Sequence, residues 1–133
     1  MSGGPELGKA APDAWQSVHL LEQAPDLADL RDGGLHAAEI EGGSIVNKEE
    51  LMGAIASALE FPDYFGGNWD ALDECLRDLG SWLQADGYVL VVADAGEFWR
   101  SSPELAGMLV RAWIDAAGPW TEKGTPFHLV FLR

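Results

Sequence analysis

The sequence predicts a small α/β protein: a parallel three-stranded sheet packed with helices. Three observations predict it. Tyr88-Val-Leu-Val-Val-Ala93 is a continuous apolar run of strand length, which suits a strand covered on both faces. Helical periodicity fills the gap between each pair of successive strand-like runs, giving the order β-α-α-β-α-β. A helix between two strands implies a parallel, right-handed crossover.

The elements follow in order. Residues 1–14 are rich in Gly, Pro and Ala and are expected to be disordered at least in part. Within Trp15–Glu22, Val18, Leu20 and Leu21 suggest a short strand. Pro25–Arg31 reads as a short helix, with proline in the first turn and Leu27 and Leu30 three apart. Asp32-Gly33-Gly34 is a turn. Residues 1–34 are thus an N-terminal extension, adding an edge strand and a short helix to a domain over residues 35–133. Leu35–Ile40 is that domain's first strand. Asn47-Lys-Glu-Glu50 resembles a capping box, and Leu51, Ala54, Ile55, Ala58 and Leu59 then mark an amphipathic helix. Phe61-Pro62 stops it, because the residue before proline leaves the helical region. A second helix runs from Asn68 to about Leu79. Gly80–Gly87 is a loop carrying Trp82, expected to be exposed. Asp94–Trp99 is a turn with a short helical piece. Ser102-Pro103-Glu104 opens the last helix, with Leu105, Met108, Leu109, Ala112, Trp113 and Ala116 as its buried stripe and Gly118 as its end. Pro126–Leu132 is the final strand.

Composition narrows the function. Lys and Arg number 8 against 22 Asp and Glu, a formal net charge of −14. That charge argues against nucleic acid or an anionic membrane as a partner. It favours a cationic partner and fast, salt-sensitive association. Cys75 is the only cysteine, so no disulfide forms within the chain, which fits a reducing, cytoplasmic compartment. The first residues lack the apolar core of a signal peptide, and no run of about 18 apolar residues is present to span a membrane. On the apolar side of its helix, Cys75 reads as a small buried hydrophobe, with His19, His36 and His128 all distant in sequence. His128, in a strand, reads as a packing or hydrogen-bonding residue. No Cys/His cluster and no phosphate loop are present, so neither a metal nor a cofactor is expected.

The chain is organised around Tyr64–Leu79. Gly66-Gly67 is a hinge that only glycine enters cheaply, and Asn68 is a good N-cap for the helix behind it. Trp69, Leu72, Cys75, Leu76 and Leu79 fall on one side of that helix. Asp70, Asp73, Glu74 and Asp78 fall on the other, with Arg77 among them. Asp70/Glu74 and Glu74/Asp78 are like-charge pairs at i,i+4, each costing about 0.2–0.5 kcal/mol in an isolated helix. A solvated face on an acidic protein accounts for the same residues. The crowding of carboxylates beside a glycine loop and two aromatics points instead to a basic protein groove that normally holds phosphate.

This stretch resembles the barstar family, bacterial inhibitors of barnase-type ribonucleases. The family pattern is aromatic-aromatic-Gly-x-Asn-x-Asp-Ala-Leu-x-acidic-Cys-Leu, and Tyr64–Leu76 matches it at every defined position. The resemblance extends over about residues 35–132 and implies the same parallel three-stranded sheet. It places Tyr64, Gly66, Asn68, Asp70, Glu74 and Asp115 at the ribonuclease-facing surface, and Asp73 joins the candidate set from the same acidic face. By resemblance, Glu74 occupies the phosphate position among the enzyme's cations, and Asp70 pairs with a second cation at its edge. Tyr64 packs on the catalytic histidine, and the backbone at Gly66 approaches closely. Asp115 comes from the last helix. Placed in its final turn, it would be disfavoured by the helix dipole by roughly 0.3–1 kcal/mol. Capping alone also explains Asn68, a half-buried loop anchor explains Tyr64, and solvent exposure explains Asp115. The sequence departs from the best-known member at Asp73, where that member has an aromatic, and at Glu74, where it has Asp.

The function implied is a binding protein and not an enzyme. It would be a cytoplasmic inhibitor, monomeric alone, that blocks a barnase-like ribonuclease or ribonuclease toxin in a 1:1 complex. Two other readings remain: a carboxylate-based hydrolase using Asp70 and Glu74, and an immunity or interaction module with a non-ribonuclease cationic partner. The hydrolase lacks two distinct environments to split the carboxylate pKa values. A divalent cation at Asp70, Asp73 and Glu74 would lack the loop oxygens that Ca²⁺ collects.

Overall fold

The computed structural model describes residues 6–133. The disorder expected over residues 1–5 lies outside them. Four strands form one parallel sheet in the order β1-β4-β3-β2: β1 Val18–Leu21, β2 His36–Glu41, β3 Tyr88–Ala93 and β4 Phe127–Leu132. Among the described residues, five α-helices accompany them: α1 Leu27–Asp32, α2 Lys48–Ala58, α3 Trp69–Arg77, α4 Ala95–Ser101 and α5 Pro103–Glu122. The three strands expected from the domain are β2, β3 and β4. The N-terminal extension supplies the fourth, with Val18 registered against Leu129.

Alternation explains why β3 and β4 are apolar throughout. Tyr88, Leu90, Val92, Phe127, Leu129 and Phe131 face the main core, where they meet Ile55, Leu72, Leu76, Leu109 and Trp113. Val89, Val91 and Val130 face the other way, onto Leu7, Leu27 and Leu30 of the extension. Both faces are therefore dry. Leu7 and Ala11 are buried, so part of the stretch expected to be disordered packs against the sheet.

Three local expectations are corrected by packing. Helix α5 does not end at Gly118; it runs through Pro119 to Glu122. The cause is Trp120, which is buried between Tyr88 and Phe127 and donates its indole Nε1–H to the Leu76 carbonyl at 2.9 Å. Asp115 is consequently not in the last turn, and the dipole cost, which fades within that turn, does not apply to it. Met108 fits the spacing of the buried stripe but is 45% exposed. Trp82 is half-buried, edge-on to Phe61, and donates Nε1–H to the Leu59 carbonyl at 3.2 Å.

A histidine pair ties the extension to β4. His128 Nε2 donates to the Lys9 carbonyl at 2.7 Å. In neutral His128, Nδ1 is then an acceptor, and it receives His19 Nε2–H at 2.9 Å. Burial, and then the neighbouring His128, push the His19 pKa down to about 4. Burial also lowers that of His128, against the raising effect of the Lys9 carbonyl. Both rings are therefore held neutral when folded, while the unfolded chain takes up protons below about pH 6.5. Stability is expected to be complete above that pH and to fall as the solution is acidified from about 6.5 towards about 4. Thermal midpoints across this window should fall less steeply in His19→Gln, whose amide can still donate to His128. Parallel slopes in the two proteins would remove the pair from the pH response.

Candidate partner-binding face

The loop before α3 positions the face. Asn68 Oδ1 accepts from the Ala71 N–H at 2.8 Å and starts the helix. Gly67 has φ +74°, a conformation that favours glycine. Gly66 differs: a Cβ there would meet Asn68 Nδ2 at 3.5 Å and Ala71 Cβ at 3.8 Å, ordinary contacts. The fold requires glycine at the hinge only at Gly67. Phe65 is half-buried and packs edge-on to Phe61 at 4.8 Å. It anchors the loop, and Tyr64 does not, being 73% exposed.

Helices α3 and α5 enclose a groove of about 760 Å³. It gathers Asp70, Asp73 and Glu74 from α3 and Asp115 from α5 beside the apolar Trp69 and Met108. Glu74 also borders a smaller hollow of about 130 Å³, which it shares with Tyr64, Asp78 and Trp82. Glu74 is thus the carboxylate common to the groove and the aromatic hollow. Gly66 and Asn68 line neither; they border a third hollow, towards α2, with Lys48 and Met52. The seven candidate residues are therefore split, with four in the groove and Tyr64, Gly66 and Asn68 on the loop beside it.

The carboxylates are not equivalent. Asp73 Oδ2 accepts from Arg77 Nε at 2.9 Å, and Asp115 lies 3.9 Å from Arg111 Nε. Among the described residues, neither Asp70 nor Glu74 has an ion-pair partner within 4.0 Å. The groove therefore offers two carboxylates with no cation of their own. The roles of Arg77 and Arg111 were missed in the sequence. The i,i+4 spacings of Asp73/Arg77 and Arg111/Asp115 are legible signals for both pairs, but the α3–α5 groove is not.

Cys75 is buried, and burial, followed by Glu74 and Asp78, pushes its thiol pKa up, away from a reactive thiolate. Among the described residues no group of three or more His, Cys, Asp or Glu is placed to hold a metal ion. No described helix is long and apolar enough to cross a membrane.

A family model described as Barstar (barnase inhibitor) matches residues 35–132. That span runs through β2, β3 and β4 and contains every groove residue. A comparison with curated proteins gave no match.

Proposed function

The chain belongs to the barstar family, and from that premise we propose that it is a cytoplasmic inhibitor of a barnase-type ribonuclease. It would block the enzyme's active site in a 1:1 complex, with α3 and the Tyr64–Asn68 loop standing in for substrate phosphate. The observation that carries this reading is the pair Asp70 and Glu74, which border the groove without a cation of their own. Carboxylates so placed suit an enzyme site lined by Arg, Lys and His.

The roles follow the resemblance. Glu74 takes the phosphate position, Asp70 meets a second cation, and Tyr64 covers the catalytic histidine. Gly66, where the fold tolerates a side chain, leaves room for the partner's approach. Asn68 shapes the loop through its cap. Asp115 adds charge from α5, and Asp73 contributes less because Arg77 already pairs it.

The experiment is titration of a barnase-type ribonuclease with this protein, followed by stopped-flow association at rising ionic strength. Inhibition is expected to saturate at one equivalent. The association rate should fall steeply between low salt and about 0.5 M, as the Debye length shrinks from tens of ångströms to about 4 Å. A flat salt response would remove electrostatic steering. Absence of inhibition would leave the face to a partner of another kind.

A further inference from the structure

Pro119 stands inside α5 and has no N–H to return to the Asp115 carbonyl, four residues back. A proline ring at that position also pushes the i−4 carbonyl out of line. In this fold the carbonyl has another donor: Arg77 Nη2, at the end of α3, reaches it at 2.6 Å. The same guanidinium donates through Nε to Asp73 Oδ2 at 2.9 Å. One side chain thus bridges both walls of the groove.

We infer that Arg77 is a positioning residue for the partner-binding face: it fills the hydrogen-bond gap that Pro119 leaves in α5, fixes the end of α3 against α5, and occupies Asp73. The inference rests on the proposed inhibitory role of that face. Asp70 and Glu74 are then the carboxylates the clamped face offers, one helical turn or about 6 Å apart along the axis. The partner selected is one whose two cations match that spacing and which needs none opposite Asp73. A clamped face also loses less freedom on binding than two independently moving helices.

Arginine is needed for this geometry. Its planar fork can donate in two directions at once, whereas a lysine ammonium on a flexible stem keeps the charge without the fork. Arg77 also places a positive charge on a face that should attract cations. If charge were its only role, removing it would speed association and leave dissociation unchanged.

Two measurements on the full chain decide the matter. The first needs no partner: a stability cycle of Arg77→Gln, Pro119→Ala and the double variant. Pro119→Ala restores an N–H to the Asp115 carbonyl, so Arg77→Gln should raise the unfolding equilibrium constant several-fold less in that background. Additive effects overturn the clamp. The second is dissociation from a barnase-type ribonuclease. Arg77→Lys and Arg77→Gln should both dissociate about tenfold faster than wild type, while Lys leaves association unchanged and Gln raises it. Wild-type dissociation in both variants overturns the positioning role, because a merely stabilising residue would shift only the thermal midpoint. If the wild-type chain binds no ribonuclease but the cycle is coupled, the inhibitory reading fails and the clamp stands.

Discussion

Glu74→Ala is expected to weaken ribonuclease inhibition by about 2–5 kcal/mol, a general range for truncated buried charge pairs that draws in part on barnase–barstar itself. The loss corresponds to roughly 30-fold to several-thousand-fold in the inhibition constant. On the proposed function, most of it would come from the partner, whose cations would stay desolvated in the interface without their counter-charge. The free protein should not suffer. Glu74 is exposed, and its removal relieves like-charge contacts with Asp70 and Asp78 of about 0.2–0.5 kcal/mol each. The thermal midpoint should hold or rise slightly. Asp78→Asn is the matched control, because Asp78 Oδ1 accepts from Ser81 Oγ at 2.6 Å and asparagine retains that acceptor. Asp78 borders the small hollow but not the groove, so its neutralisation should cost less than about 1 kcal/mol of binding. Equal, small effects of the two variants on inhibition would make the acidic face a solvated surface.

Deletion of residues 1–34 is expected to destabilise the fold strongly while leaving the candidate partner-binding face in place. The deletion removes β1 and α1, opening the edge of β4 and one face of the sheet. Val89, Val91 and Val130, each no more than 1% exposed, would lose the cover of Leu7, Leu27 and Leu30. His128 would lose both of its partners, and the Ala37 carbonyl would lose Arg31 Nε. At about 1.5–3 kcal/mol per fully buried large apolar side chain, and less for those partly buried, the loss is on the order of 5 kcal/mol. That is comparable to the total stability of a small domain. The midpoint should fall by on the order of 15 °C, with aggregation through the bared face. No residue before Trp69 lines the groove, so truncated protein that does fold should inhibit with unchanged affinity. An unchanged midpoint would show that the extension is not a structural cover. A folded truncate that fails to inhibit would place part of the binding surface in residues 1–34.

Much of this architecture was legible because its signals are local. The apolar runs of β3 and β4 reflect strands covered on both faces, and the sheet shows both covers. Asn47 and Asn68 cap α2 and α3 through the expected contacts to Glu50 and Ala71. The 100° periodicity sorted α3 correctly, with Leu72, Cys75 and Leu76 buried and Asp70 and Glu74 exposed. Departures came where distant residues met. Gly118-Pro119 is a strong local stop signal, yet the burial of Trp120 carries α5 past it. Met108 fits the helical stripe, but it borders the groove between α3 and α5. Trp82, polar at one edge, turns inward because the Leu59 carbonyl accepts its N–H.

The sequence by itself determined the parallel α/β order, the acidic helix behind a glycine loop, and the family to which the chain belongs. Each is written in spacing along one stretch, where side-chain period and capping are settled by neighbours in the chain. Only the tertiary structure decided which carboxylate Arg77 takes. It lies i,i+4 from Asp73 and i,i+3 from Glu74, both helix neighbours, and the fold sets it on Asp73. It also brings Arg77 to a carbonyl 38 residues away. Helix packing creates that contact, and no local period encodes the distance between two helices whose joining chain runs through a loop, a strand and a further helix.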